Sequence, residues 1–488
     1  MTDDAPAAAR QHHGLTLAVL AVAALSYALL QTMVAPALPE IQRELGASTT
    51  GVTWVLTVYL LSASVLTPIL GRLGDMHGKD RVLVAVMAAF ALGTAVCALA
   101  DSLALLVAGR AVQGAGGAAF PLAFGIIRDE FPREKVAGAI GLISATFGIG
   151  GGVGLVLAGV LVDALSYEWI FLFALALIVP ATVAIHRWVP ASPVRTPARV
   201  NWLGAALLSA GLALLLLGVS EAPERGWGSP GTVGLIAGGL AVLALWTGQE
   251  QRAAEPLVDM RMLRLRGVWT TNLVAVLVGF GMFGSFILVP TYVQSVPEVA
   301  GYGFGATVTE AGLFLLPSAL VMLVGGPLAG ALGNRFGSKV PLLLGCLLGA
   351  VGFAFLGLAH AARWQIYVGT AIFGLGISFS FASMANLVVS AVPQTQTGVA
   401  SGINTIARSV GGSLGSQVSA TIVAGSVVAA TGLPGEGGFA AAFLVSAAAM
   451  VVALLAGLAI PGRPRGAAGA PVAAAAPSRA GAAARAPA

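Results

Sequence analysis

At 488 residues, 57% hydrophobic and only 9% charged, the chain carries far fewer charges than a soluble domain, where about a quarter of residues are charged. The net charge of +5 comes from basic residues scattered through short loops rather than gathered on one face, which excludes a nucleic-acid footprint. Cys97 and Cys346 both lie inside apolar runs, so neither a disulfide framework nor a zinc site is expected.

The chain opens on a polar stretch, Met1 to Gly14. The apolar run behind it reaches about Pro36, too long for the hydrophobic region of a secretory signal, and reads as a retained first span. Apolar runs of the roughly 20 residues needed to cross a bilayer recur along the chain. About fourteen are found, centred on Val22, Ser62, Ala91, Ala115, Gly148, Ala176, Leu212, Ala241, Leu277, Met322, Gly349, Ile377, Val418 and Met450. The expected fold is an all-α integral membrane protein of about 14 transmembrane helices.

Charge orients it. With the amino terminus inside, twenty of the 25 Lys and Arg side chains are cytoplasmic; Arg43, Arg225 and Arg363 are outside, and Arg110 and Arg408 lie within spans. An even span count returns the carboxyl terminus to the cytoplasm. The chain after Pro461 is rich in Ala, Pro and Gly and too poor in large apolar side chains to fold alone.

Two glycine patterns repeat. Gly71, Gly74 and Gly78 after span two recur as Gly330, Gly333 and Gly337 after span ten, an offset of 259. Gly150, Gly151 and Gly154 in span five recur as Gly411, Gly412 and Gly415 in span thirteen, an offset of 261. Agreement of the two offsets implies two related halves. The chain then divides into a cytoplasmic amino terminus (1–13), a six-helix bundle (14–190), a central two-helix insertion (200–250), a second six-helix bundle (266–461) and a cytoplasmic tail (462–488).

Between spans two and three, Gly71 to Arg81 reads GRLGDMHGKDR. Its glycines allow close helix approach and a tight turn, and Asp75 can meet a helix amino terminus or a nearby Arg. The plainer reading is a solvated charged turn that only fixes topology. In this loop the sequence resembles the major facilitator superfamily, and over roughly 14–461 its fourteen-span drug:proton antiporter branch. The resemblance implies that Gly71, Gly74, Asp75 and Gly78 latch the halves together while the cavity faces outward. It also implies that Asp129, in RDEFPREK, pairs with this loop. Arg81 is a candidate third member, with ordinary juxtamembrane charge as its other reading. Met76 and Asp80 stand where that family's loop is usually basic.

The remaining motifs follow in chain order. Span one, LLQTMVAPALPEI, has Leu30 where the family often has Asp, so Gln31 and Thr32 are its polar side chains able to face a cavity. Span four carries GRAVQGAGGAAF, which looks like the family's intramembrane Arg motif. There Arg110 and Gln113 share a face beside a small-residue groove. They belong either to the substrate or coupling pathway or to a bond with a neighbouring helix. Span five, FGIGGGVGLVLAG, resembles the antiporter motif through Gly150, Gly154 and Gly159, with Leu155 where Pro is expected and Ala158 where Gly is. On span twelve, Asn386 with Ser383 and Ser390 forms a polar stripe expected in the cavity, whereas Asn272 on span nine reads as a helix–helix contact. Arg408, Gly411 and Gly412 match the branch's span-thirteen pattern, Arg408 being either pathway or structural anchor.

No carboxylate falls near the middle of a span: Asp129, Asp163 and Glu310 all sit near span ends, and none of the histidines at 12, 13, 77, 186 and 360 is central. Proton coupling is therefore implied by the resemblance and by no titratable group of the spans. The intramembrane charges are cationic, which favours anionic or neutral polar-headed substrates. No nucleotide-binding GxxxxGK[ST], no HExxH and no positioned Ser/His/Asp set is present. The expectation is a non-enzymatic secondary transporter of the cell membrane, monomeric and free of cofactor and metal. It would export small amphipathic compounds, drugs or natural products, by alternating access in exchange for protons. A facilitator or importer of an anionic or polar small molecule is the alternative within transport. A membrane-embedded enzyme or sensor is the alternative outside it, and the two-half symmetry speaks against both of these.

Overall fold

The computed structural model describes residues 13–195, 200–428 and 433–461. The expected tail, and the amino-terminal residues before His13, lie outside the described residues. Among the described residues fourteen long helices follow one another, numbered here in chain order. The first six are α1 (His13–Glu44), α2 (Thr49–His77), α3 (Lys79–Ala98), α4 (Leu103–Glu130), α5 (Arg133–Ala164) and α6 (Glu168–Trp188). A central pair, α7 (Trp202–Arg225) and α8 (Pro230–Arg252), comes next. The last six are α9 (Arg266–Gln294), α10 (Val308–Phe336), α11 (Lys339–Leu358), α12 (Arg363–Ala391), α13 (Thr397–Ala424) and α14 (Glu436–Leu458).

Among the described residues, thirteen helices are long and apolar enough to cross a membrane. The exception is α13. It is as long as its neighbours, but Asn404, Arg408, Gln417 and a series of Ser, Thr and Gly residues dilute its apolar content. Val418, the expected centre, lies in its last two turns, because the helix reaches back to Thr397 through polar sequence that a hydropathy count passes over.

Helix α4 is not continuous. Leu103–Gln113 and Ala119–Glu130 are joined by a 3-10 stretch, Gly114–Ala118, whose tighter winding re-aims the second segment. The glycines there let α2 come close: a Cβ on Gly114 would overlap Ser62, and one on Gly117 would meet Thr67 Oγ1 at 2.6 Å.

The glycine echo is a structural repeat. In the first half α5 lies on α1, where a Cβ on Gly150 would meet Leu29 N at 2.8 Å. In the second half α13 lies on α9, with Gly411 against the Val276 carbonyl and Gly415 against that of Phe280. Gly78 (φ +104°) ends α2 and Gly337 (φ +84°) ends α10, each amide donating back to Gly74 O and Gly333 O. Such φ values favour glycine, which has no Cβ to clash.

Two seams join the halves. Along the first, α5 and α10 touch from end to end: Gly330 faces Ala137 O, Gly141 faces Gly326, Gly152 faces Ala319, Gly312 faces Val156, and Gly159 faces Thr309. Along the second, α2 and α13 touch at the end carrying the Gly71–Arg81 turn, hereafter the latch end. There a Cβ on Gly71 would lie 2.6 Å from Gly398 O, and one on Gly402 would lie 3.2 Å from Pro68 Cα. Toward the far end a cavity opens between them, and α7 lies across it in contact with both.

The central pair is fastened at the latch end. Asn201 Nδ2 donates to Glu250 Oε1 (2.8 Å), and Glu250 Oε2 accepts from the Val258 amide (3.0 Å). Leu208, Leu212 and Trp246 share an apolar cluster with Val268 of α9, Val388 of α12 and Val399 of α13.

Candidate functional site

At the latch end Asp75, at the end of α2, reaches the amino terminus of α13. Its Oδ1 accepts from Gly398 N (3.1 Å) and its Oδ2 from Val399 N (3.2 Å). Those amides have no partner inside their own helix, and the helix dipole there favours an anion. Lys79 Nζ lies 3.4 Å from Asp75 Oδ1 and 2.7 Å from Asp129 Oδ2, with all three side chains buried. Lys79, not Arg81, is therefore the basic member of this network; Arg81 is exposed on the outer face of the α3 start. Ser192 Oγ donates to Asp129 Oδ2 (3.1 Å), and Asp80, which departs from the family's basic pattern, accepts from Ser192 N (2.9 Å). Asp80 thus holds the segment after α6 against the loop.

Arg128 completes the contact from the other side. Its Nη2 donates to Val392 O (2.6 Å) at the end of α12, and its Nη1 to Thr397 Oγ1 (2.8 Å). A cation meets a helix carboxyl end and an anion meets a helix amino end across the same joint. Two acids, Asp75 and Asp129, and two bases, Lys79 and Arg128, thus converge on the joint. Sequence reasoning missed Lys79 and Arg128. The signal for Arg128 was its place beside Asp129, and for Lys79 its position four residues after Asp75, across the Gly78 turn.

Arg110 is fully buried within the first half. Its Nε donates to Val55 O of α2 (3.0 Å), its Nη1 to Gln113 Oε1 (2.6 Å), and its guanidinium lies 4.0 Å over the Tyr59 ring. Gln113 Nε2 in turn donates to Thr94 Oγ1 of α3 (3.0 Å). The pair therefore knits α2, α3 and α4, leaving Arg110 Nη2 buried without a hydrogen-bond partner among the described residues.

The second buried arginine sits where the halves meet. Arg408 of α13 lies 4.1 Å over the Phe381 ring of α12 and 5.8 Å from Phe147 of α5. Phe147 and Phe381 stack across the halves at 5.2 Å, and Phe120 of α4 packs edge-on against both. Tyr27 of α1 then joins Phe120 (5.9 Å) to Tyr59 (6.4 Å), the ring beneath Arg110. A chain of aromatic faces thus runs from one intramembrane cation to the other. Beside Arg408 is a crevice lined by Ser401, Asn404, Thr405 and Phe124, with no carboxylate among its residues and no room for a water molecule. A guanidinium on an aromatic face, with no counter-ion among the described residues, is suited to an anionic or oxygen-rich aromatic guest.

Other expected positions fall elsewhere. Thr32 Oγ1 donates to Gly150 O of α5 (2.7 Å) and back to Leu29 O (3.0 Å), so it serves the α1–α5 contact rather than a cavity. Its neighbour Gln31 has a buried Oε1 with no partner among the described residues. Asn386 Nδ2 donates to Ala137 O of α5 (3.3 Å) and Ala382 O (2.9 Å), which places it in the joint between halves, not in open space. The reason is the close approach of α5 to α12, which the spacing of polar residues on one helix cannot reveal. Asn272 Oδ1 accepts from Asn404 Nδ2 (3.0 Å), the helix contact expected of it. Asn334 was not singled out in the sequence, although it occupies the position 259 residues after Asp75; its Nδ2 donates to Glu134 O (2.7 Å) at the start of α5.

Comparison with known proteins bears on this arrangement. The Major Facilitator Superfamily matches residues 20–416. The chain is 33% identical to the tetracenomycin C resistance and export protein of Streptomyces glaucescens, over 84% of this chain and 76% of that one. It is 30% identical to a multidrug resistance protein B homolog of Mycobacterium tuberculosis, over 80% of this chain and 73% of the other. The crystal structure of the human organic anion transporter MFSD10 superposes with a TM-score of 0.65, covering 91% of this chain and 99% of that one; at 17% identity the likeness is one of fold.

Proposed function

From the premise that this chain belongs to the Major Facilitator Superfamily, we propose that it exports aromatic amphipathic compounds bearing anionic or polar oxygen groups. The mechanism is alternating access, in exchange for protons. Membership and the names of its relatives support a secondary transporter of drugs or natural products. The observation that carries the substrate chemistry is Arg408, stacked on Phe381 at the meeting of the halves with no carboxylate lining the adjacent crevice. Proton exchange rests on the resemblance to the drug:proton antiporter branch.

In this reading the latch end and both termini are cytoplasmic, because basic residues collect there while Arg43, Arg225 and Arg363 mark the far end. The conformation described above is then closed to the cytoplasm, with Asp75, Lys79, Asp129 and Arg128 as the gate. Arg110 belongs to the same pathway through the Tyr59–Tyr27 link, transmitting occupancy at the centre to the first half.

The test is flux in proteoliposomes with an internal pH dye, using tetracenomycin C and a panel of anionic and cationic aromatic dyes. Arg408→Lys keeps the charge and loses the planar stacking face, so affinity for the anionic dyes should fall about tenfold while the cationic ones change little. Equal affinities for both classes in the variant and the wild type would remove Arg408 from the site. Wild-type affinity, rate and pH profile in Arg110→Lys would leave that residue a structural anchor. Substrate movement without proton movement would keep the transporter and replace exchange by facilitated diffusion.

A further inference from the structure

The cavity beneath α7 belongs to neither half alone. Its walls are α2 and α13, its inner end is Phe283 of α9, and its outer wall is α7 through Leu216 and Ser220. Among the described residues the lining is rich in hydroxyls and contains no charge: Thr57 and Ser64 of α2, Ser220, Ser409, Ser413 and Ser416, together with the amide of Gln417. Ser416 Oγ donates to Ser413 O in its own helix (3.0 Å), which leaves its oxygen free to accept. Leu60, Leu61, Leu216 and Phe283 supply the apolar remainder. This chemistry differs from the cation-on-aromatic arrangement at Arg408.

Size decides how such a cavity could be used. Its volume is about 110 Å³, room for several waters at ~10–15 Å³ of cavity each. A drug-sized guest needs ~300 Å³ or more. Occupation therefore requires a wall to move, and the walls are not equally held. Helices α2 and α13 are locked at the latch end and built into their halves. Helix α7 is fastened to α8 and to the Val258 segment at the latch end, whereas at the far end the pair is pinned by Trp227 Nε1 donating to Thr421 Oγ1 (3.0 Å). Among the described residues that hydrogen bond is neutral, in contrast to the carboxylate of Glu250 at the latch end, and the arrangement suits a panel hinged at one end.

We infer that α7 is a movable lateral wall over a second substrate site, and that this site takes uncharged amphiphiles with several hydroxyl or carbonyl groups, exchanged with the bilayer when α7 swings from α2 and α13. The inference rests on the export reading only for the side of the membrane the window faces.

The experiment measures binding, not transport. Purified protein in nanodiscs, with Cys97→Ala and Cys346→Ala, carries Trp227→Cys and Thr421→Cys, at the far-end contact outside the cavity lining, joined by a reducible bismaleimide. Tritiated cortisol, an uncharged amphiphile with several oxygens, is followed by scintillation proximity. Saturable binding to the uncross-linked protein is expected, with the association rate falling about tenfold on cross-linking and recovering on reduction. Ser413→Trp, which fills the cavity, should weaken affinity about tenfold, and Trp227→Phe should speed association about threefold. Absence of saturable cortisol binding overturns the inference, and so does binding indifferent to both the cross-link and Ser413→Trp. If binding behaves as expected but vesicles show no vectorial flux, the export proposal fails and this site stands.

Discussion

The two seams differ in what holds them. Where α5 meets α10, glycines from Gly330 to Gly159 mostly face backbone or small side chains, Gly148 facing Met322, and side-chain bonds lie at the two ends: Asn334 to Glu134 O at the latch end and Thr309 to Asp163 at the far end. Where α2 meets α13, contact is confined to the latch end and is made by charge on helix termini, Asp75 on α13 and Arg128 on α12. Close backbone packing tolerates a small rotation without separating. A charge on a helix end is a discrete contact of ~0.3–2 kcal/mol that is either made or broken. The first seam thus suits a pivot, and the second a lock. The repeat sharpens the point, since matched positions carry Asp75 in the lock and Asn334 in the pivot.

The largest effect should come from the heart of the lock. Lys79→Gln leaves the buried carboxylates of Asp75 and Asp129 without the cation that lies between them, a loss of ~3–5 kcal/mol. Flux in proteoliposomes should be abolished and the thermal midpoint of purified protein should drop by several degrees. A stable variant with normal flux would show that the buried network is not a lock.

Next comes the pivot. Gly141→Leu places a side chain against the backbone of Gly326, and overpacking of this kind costs ~1–3 kcal/mol. Transport should fall by more than half without loss of charge-dependent gating, seen as an unchanged response to Asp75 substitution. If Gly141→Leu transports normally, the first seam is not the surface about which the halves turn.

The matched pair of polar residues follows. Asp75→Asn removes the anion from the α13 terminus while keeping its shape, for a loss of ~1–2 kcal/mol, so flux should fall about fivefold at equal membrane abundance. Asn334→Asp turns a donor to Glu134 O into a repelled acceptor and should cost less, ~1 kcal/mol. Equal effects at the two positions would erase the distinction between the seams. The smallest change is expected for Arg81→Gln: an exposed charge is worth ~0–1 kcal/mol, so activity should match the wild type, and a loss like that of Lys79→Gln would return Arg81 to the network.

Much of this was legible beforehand. Apolar runs place helices because a bilayer leaves a polar backbone few alternatives, and glycine offsets reveal halves because close approach at matched positions needs matched glycines. Asp75 was visible in the Gly71–Arg81 loop and Asp129 in RDEFPREK, through the resemblance that pairs the two. What stayed hidden depends on which helices touch. Thr32 and Asn386 were expected in a cavity, yet each satisfies a carbonyl of α5, and nothing on α1 or α12 alone says that α5 comes so near. Lys79 was hidden by Arg81, a stronger base two residues on, because only the helix start at Lys79 determines which of the two points inward. Span four's 3-10 stretch was present in its glycines but was read as a groove rather than as a break.

Helix α13, among the described residues the one long helix too polar to count as a membrane span, has a consequence for how the protein is made. A segment with Asn404, Arg408, Gln417 and so many hydroxyls gains little by partitioning into lipid on its own. Its entry depends on surfaces already waiting for it: the α9 backbone opposite Gly411 and Gly415, and the α2 end opposite Gly398. Biogenesis of the second half is therefore cooperative across the whole chain. The first-half helix α2 acts as an assembly template for a helix synthesised more than three hundred residues later, and a lesion in that early helix would surface as a late failure of insertion.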